Sequence, residues 1–432
     1  MRQATWPISR RAPLLSLAAG AALALTVGHP VPLEAQAIAI TNARIHPIAG
    51  PVIPRGTVVI EGGRITAVGP NVAVPDGARV IDASGKVVTP GFLNNASTLG
   101  LVEIDAEPGT NDMSTSDDAI TAAFTVVDAI NPLSTLIPVT RVEGITRAVV
   151  QPQNGASLIA GTGALIDLGG DRVSAILHRH PTAMYAVLGE SGAARAGGSR
   201  GAAVLRLREA LEDARDYAAN RTAYAESRRR DYALSRLDLE ALVPVVEGAV
   251  PLAVGVHRAS DILATLRLAQ DFGLRLILMG VAEGWTVAGD IARAGVPVVL
   301  DPMQNIPQFE RLAITLENAA RLDRAGVNVA FATFDAHNSR TLKQLAGNAV
   351  AYGMPYEAAL RAVTVNGARI WGIDDRYGTL EVGRDADVVV WAGDPFELAT
   401  TVEYVFIRGR EMSKNTRQRE LLERYRNTPT RP

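Results

Sequence analysis

Three short stretches of this sequence carry side chains that could do chemistry near neutral pH. His257 ends the apolar run Pro251–His257. Asp335 and His337 stand together in Ala332-Thr333-Phe334-Asp335-Ala336-His337-Asn338-Ser339-Arg340. His178-Arg179-His180 has the alternation that puts two imidazoles on one side of an extended strand. Glu283, in Gly280-Val281-Ala282-Glu283-Gly284-Trp285, is a further carboxylate, with a helix N-terminal role as its simpler reading. Imidazoles and carboxylates exchange protons and hold metal ions. The chain has six histidines and no cysteine, so disulfides, thiol nucleophiles and cysteine-built zinc sites are excluded. The His178/His180 pair lacks a visible third ligand, and surface roles are expected for both.

These residues need elements to position them. The chain has 432 residues, 47% hydrophobic and 20% charged, with a formal charge of −2. That composition supports a large globular core and gives no basic footprint for nucleic acid. Residues 1–37 read as a cleaved secretory signal. Arg2, Arg10 and Arg11 precede the apolar run Leu14–Val27, and Ala35-Gln36-Ala37 offers a small-x-small cleavage site. The run is too short to span a bilayer as a helix, which takes roughly 20 residues. A periplasmic or secreted protein with no stable membrane span is expected.

Residues 38–89 read as short strands, with Glu61-Gly62-Gly63-Arg64 as a two-residue hairpin turn. From residue 90 to 365, continuous apolar strands alternate with amphipathic helices. The strands are Thr146–Gln151, Ala183–Leu188, Pro251–His257, Leu274–Met279, Pro297–Leu300 and Val327–Phe331. The helices are Asp261–Phe272, Trp285–Ala294, Gln308–Ala325 and Arg340–Tyr352, each closed by a glycine (Gly273, Gly295, Gly326, Gly353). A long charged helix is expected over 200–237. This α/β pattern predicts a (β/α)₈ TIM-like barrel, with a doubly wound open sheet as the alternative. Residues 366–412 return to strands. A small β-sandwich built from both chain ends follows, because neither end has strands enough alone. Residues 413–432 form a charged tail.

Four stretches carry a family resemblance. They are Ile60-Glu61-Gly62-Gly63-Arg64-Ile65-Thr66-Ala67-Val68-Gly69, Ile81-Asp82-Ala83-Ser84-Gly85-Lys86-Val87-Val88-Thr89-Pro90-Gly91-Phe92-Leu93, Ala359 through Gly372, and Gly378 through Trp391. Together with the barrel strands they resemble the amidohydrolase superfamily, nearest its secreted, imidazolonepropionase-like members. The resemblance implies hydrolysis of carbon–nitrogen bonds by water on a divalent metal such as zinc. The metal lowers the pKa of water from about 15.7 to about 7, roughly 12 kcal/mol of differential stabilisation of hydroxide.

The ligand positions depart from the family pattern. Its first histidine pair falls on Ala96 and Thr98, its strand 5 histidine on Gly255, and its strand 6 histidine on Gly280. None of these is an effective ligand, so no metal ligand is assigned and the cofactor stays unknown. Asp335 matches the family's general-base aspartate and is the candidate catalytic residue, with helix capping as the alternative. His257, His337, Arg340, Asn95 and Thr98 are the candidate substrate contacts. The expected function is an amidohydrolase-type hydrolase of carbon–nitrogen bonds with impaired or absent metal-dependent catalysis. The alternative is an inactive form that binds a small molecule or an active homologous partner. A homo-oligomer is a further family-level expectation.

Overall fold

The computed structural model describes residues 36–426. The body of the expected signal, residues 1–35, lies outside them. Both chain ends build one eight-stranded sheet. The N-terminal part gives Ile38–Ile45, Ile53–Glu61, Arg64–Gly69, Arg79–Asp82 and Val87–Pro90, and the C-terminal part gives Val388–Trp391, Val402–Ile407 and Arg410–Glu411. The ends meet where Val87–Pro90 runs antiparallel to Val388–Trp391, with Thr89 opposite Val389. Gly62 and Gly63 both have positive φ, 55° and 81°, and close the hairpin in which Glu61 pairs with Arg64. Only glycine takes two such angles in succession at little cost, and the turn's twist matches the strands. Ile40, Val58, Ile65, Val88, Val390 and Phe406 fill the core of this region.

The middle of the chain is an α/β, TIM-like barrel domain. Its strands are β1 (Phe92–Ser97), β2 (Ile145–Val150), β3 (Ala164–Asp167), β4 (Met184–Val187), β5 (Leu252–Val256), β6 (Leu276–Gly280), β7 (Val298–Leu300) and β8 (Val329–Phe331). β4 through β8 pair in parallel, as do β1 and β2. β3 runs antiparallel to β2, which departs from the expected all-parallel order. With two further strands, Leu177–Arg179 beside β3 and Ile159–Thr162 beside β4, the pairing forms two sheets, of four and six strands. Phe334 N–H donates to Ala96 C=O (2.9 Å) across one seam, and Thr182 N–H to Gly163 C=O (2.9 Å) across the other.

Each strand gives one face to a shared interior cluster: Leu93, Val149, Leu165, Tyr185, Ala253, Ile277, Val299 and Ala330. The alternate residues, among them Val254, Leu278, Val298 and Val329, pack outward with the helices. Strands buried on both faces read as unbroken apolar runs, which is why they were visible in the sequence. The helix Val365–Trp371 closes the floor: Asn366 donates to Val329 C=O (2.8 Å) and Trp371 joins the interior cluster.

Two expected helices differ. The helix expected over 200–237 ends at Ala225, and a separate helix, Arg236–Val246, begins where it was expected to stop. Asn220 already leaves helical geometry, the Asp213 carboxylate captures Ala233 N–H (2.9 Å), and Ser235 caps the second helix. Of Gln308–Ala325, only Asn318–Arg324 is helical. Upstream, tertiary partners take the backbone: Glu283 accepts from Ala313 N–H (3.0 Å) and Trp285 donates to Ala313 C=O (2.7 Å). Phe309 and Leu312, apolar residues of the expected helix, remain exposed, as does Ile306 just before it. Gly273, Gly295, Gly326 and Gly353 do take the positive φ expected of them. Among the described residues no helix is long and apolar enough to cross a membrane.

Candidate functional site

The C-terminal ends of the barrel strands surround a cavity of about 390 Å³. Residues at or beyond strand ends line it: Gln151 after β2, Tyr185 on β4, Gly255 and His257 at β5, Met279 and Gly280 on β6, and Phe334 after β8. Ala253, Gly255 and His257 share one face of β5 by alternation, which carries the histidine inward. Another cavity, about 520 Å³, lies between the eight-stranded sheet and the helix Tyr356–Ala362, beside His46 and Glu357. No barrel strand ends there.

His257 is the one sequence-derived candidate that lines the mouth cavity. Burial, helped by the charge of Arg311, pulls its pKa down to about 4, so the ring is neutral at physiological pH. Its Nδ1 is buried without a hydrogen-bond partner. The same is true of Oε1 of Gln151, whose side chain is 9% exposed. A buried polar atom left unpaired costs about 1–3 kcal/mol. Both side chains line the cavity, while these two atoms themselves are closed to a water-sized molecule.

Glu283 takes a supporting role. Its two carboxylate oxygens accept from Ala259 N–H and Ala313 N–H, 3.0 Å each. Ala259 opens the helix Ala259–Phe272, so Glu283 caps a helix other than the one that follows it. Its own N–H donates to His257 C=O (3.0 Å). The ends of β5 and β6 and the segment after β7 are thereby pinned to one another.

The remaining candidates do not converge on this cavity. Asp335 accepts from Asn338 N–H (2.9 Å) and from the Asn338 amide (3.2 Å), the pattern of a capping carboxylate. Its carbonyl accepts from Ser97, Thr333 and Ser339 hydroxyls. His337 faces Asp105 at 3.7 Å, and Arg340 is exposed. Asn95 is fully buried: its amide donates to Phe331 C=O (2.8 Å), and its oxygen accepts from Trp371 Nε1 (3.1 Å). It locks β1 to β8 and to the floor helix. Thr98 is buried and lies outside the cavity wall. His178 pairs with Asp167 (2.8 Å), whereas His180 bonds the Thr125 hydroxyl (2.8 Å), so the two rings serve separate contacts.

Sequence reasoning missed Gln151, Arg195, Tyr185 and Gln304 in the wall. The position of Gln151 at the mouth was legible, since it closes a predicted barrel strand, but its role was not. Arg195 was not, because it is held by carbonyls distant in sequence, Asn154 (2.6 Å) and Gly155 (2.8 Å).

Residues 274–412 match the model of the amidohydrolase family. An amidohydrolase structure from Thermotoga maritima superposes with a TM-score of 0.80 at 28% identity, covering 88% of this chain and 100% of that one. This chain belongs to the amidohydrolase superfamily. Among curated relatives of the superfamily, amidohydrolase tasK of Hapsidospora irregularis is 26% identical over 390 residues. That alignment takes in 82% of this chain and 39% of tasK, so the chain spans about two fifths of that relative. A 5-methylthioadenosine/S-adenosylhomocysteine deaminase of Moorella thermoacetica is 24% identical over 401 residues, 82% of this chain and 85% of the relative.

The divalent metal implied by the superfamily does not fit the residues present. Ala96, Gly255 and Gly280 have no side-chain donor, and Thr98 offers only a neutral hydroxyl. Among the described residues no group of three or more histidines and carboxylates could hold a metal ion. A Cβ at Gly280 would stand 2.5 Å from His257 Cε1, so the His257 ring fills the space a side chain on β6 would need.

Proposed function

We propose that this amidohydrolase-superfamily protein takes a small molecule into the barrel mouth and acts there on a carbon–nitrogen bond, without a metal at the superfamily's usual positions. The observation that carries the reading is His257: a neutral imidazole in the wall of a cavity sized for a small ligand. A neutral imidazole can accept a proton from attacking water. Without metal activation that help is modest, and slow turnover is expected. Asp335, engaged by Asn338, holds the turn after β8 rather than the substrate. Export through residues 1–37 is part of the proposal, supported by their apolar run and cleavage pattern.

A second reading is binding without turnover, alone or beside an active homologous partner. It is favoured by the lack of an effective donor at all four usual ligand positions.

Elemental analysis of the purified full chain, combined with turnover assays on cyclic amides, N-acyl amino acids and dipeptides, tests both. Turnover retained after chelation, lost in His257→Gln and kept in Asp335→Asn supports the first reading. Ligand binding with no turnover favours the second. Stoichiometric metal with turnover abolished by chelation overturns the metal-free site.

A further inference from the structure

We propose that the helix Arg417–Arg426 is an anchor that lays the protein against an anionic phospholipid surface. The proposal is independent of the barrel mouth. All ten residues of the helix are exposed and none is buried. Leu422 and Tyr425 are 64% and 61% exposed. Among the described residues, the hydrogen bonds of its side chains stay within the tail: Asn415 donates to Glu420 (2.6 Å), and Arg419 to Lys414 C=O (3.3 Å).

The order of residues around the helix carries the argument. At about 100° per residue, Leu421, Tyr425, Gln418 and Leu422 share one arc of roughly 100°. Arg417 and Arg424 border that arc on one side, and Arg419 and Arg426 border it on the other. Glu420 and Glu423 fall on the opposite face. A lipid–water boundary selects this order. Apolar side chains enter the acyl edge, arginines reach the phosphates on both sides, and acids stay in water. Tyrosine suits that boundary, with an apolar ring and a polar hydroxyl. The helix is about 15 Å long, half of the roughly 30 Å hydrocarbon core, so it lies on the surface and does not span it.

Charge points the same way. The chain carries −2 overall, whereas residues 414–432 hold six basic and two acidic residues. Beside the helix, Lys414, Thr416 and Arg419 line a cavity of about 340 Å³. Glu143 in its wall is paired with Lys343 (2.9 Å), and among the described residues neither Lys414 nor Arg419 forms an ion pair. A lipid phosphate supplies the missing anion. A second copy of the helix does not fit the same face. Both borders of the arc are arginine, so two-fold pairing would set arginine against arginine whichever way the helices ran. A protein groove reads apolar anchors spread over several turns, whereas these three lie between Leu421 and Tyr425.

The test follows hydrogen exchange at residues 417–426 of the full chain. The readout is local, so membrane affinity elsewhere in the chain does not enter it. Vesicles of phosphatidylcholine with about one third phosphatidylglycerol should slow exchange there at least about tenfold, and phosphatidylcholine alone should not. Leu422→Ser/Tyr425→Ser and Arg417→Gln/Arg424→Gln, all at exposed positions, should each lose most of that protection. Exchange unchanged by the anionic vesicles overturns the proposal. Equal protection by both kinds of vesicle, or protection kept in both variants, also overturns it. Poly-L-glutamate presents anionic charge without an acyl layer. Protection by that polymer and not by the vesicles would assign the helix to an acidic protein and overturn the lipid anchor.

Discussion

His257 and Gly280 are sterically matched across β5 and β6: a Cβ on residue 280 would lie 2.5 Å from Cε1 of His257 and 3.0 Å from its Nδ1. Gly280 also has φ +84°, a backbone conformation open to glycine and strained for other residues. The glycine on one strand and the inward ring on the next therefore share a single space.

Gly280→Ala tests that match. The substitution adds a methyl where the ring sits and forces alanine into a left-handed conformation. The backbone penalty alone is about 1–2 kcal/mol, and the clash adds to it. A loss of at least about 2 kcal/mol in urea unfolding is expected. In His257→Ala, which removes the ring, the same glycine substitution should cost only the backbone part. Additive costs in the double variant would show that the two residues do not meet.

Protonation of His257 gives a second test. Its folded pKa is about 4, below the ordinary 6.5, because burial and Arg311 disfavour the charged ring. The unfolded chain therefore binds the proton first as pH falls. Stability is full above about pH 6.5 and declines toward pH 4, by roughly 3 kcal/mol from this residue. His46 and His180 are shifted in the same direction, so the difference between parent and His257→Gln isolates the effect. Between pH 7 and pH 4 the unfolding free energy of the parent should fall by roughly 3 kcal/mol relative to that of His257→Gln. A constant difference across that range would contradict the buried neutral ring.

Much of the barrel was legible because its strands are apolar on both faces and its helices end on glycines that stop them. The meeting of the chain ends was legible too, from the shortage of strands at each. The site was less so. His257 could be placed on the inward face by counting alternate residues from Ala253. Asp335 could not be separated from a capping residue by family pattern, although Asn338 three residues on is the partner that decides its geometry. The Gln308–Ala325 helix failed because the competing bonds come from Glu283 and Trp285, about 30 residues away, and sequence periodicity carries no trace of them. Gln151 drew no notice because a neutral amide at a strand end becomes informative only when its partners are known to be missing.

Glu283 gives a third test, of how the mouth is held together. Its carboxylate accepts two backbone N–H groups, from Ala259 and Ala313, and is 8% exposed. Glu283→Ala orphans both donors and should cost about 2–4 kcal/mol. Glu283→Gln keeps one acceptor, faces the other N–H with an NH₂, and should fall between. Hydrogen exchange should accelerate at Ala259 and Ala313 in both variants, more than at β2 amides. Protection unchanged at Ala313 would mean that the segment after β7 is held by something else.

Arg147 ties the barrel to the sheet formed by the chain ends, and it supplies the fourth test. The side chain is 1% exposed and makes bonds to Asp387 (2.9 Å) and Asp385 (2.8 Å). Burial opposes ionisation of Asp385, but Arg147 and Arg376 outweigh it and hold its pKa below the ordinary value. Truncating one member of such a cluster strands the others' charge, which costs about 3–5 kcal/mol. Arg147→Met should therefore destabilise the chain strongly at pH 7. Because the folded pKa of Asp385 is depressed, its contribution is present above the unfolded value near 3.8 and is lost as pH falls through the folded pKa. The parent should accordingly lose stability on acidification below about pH 4 faster than Arg147→Met/Asp385→Asn/Asp387→Asn, in which neither carboxylate remains. That triple variant should also recover part of the loss seen in Arg147→Met, since no buried charge is left unpaired. If Arg147→Met alone were as stable as the parent at pH 7, the junction would not depend on this ion cluster, and the apolar packing of Phe92 against Trp391, with ring centroids 5.0 Å apart, would have to hold it.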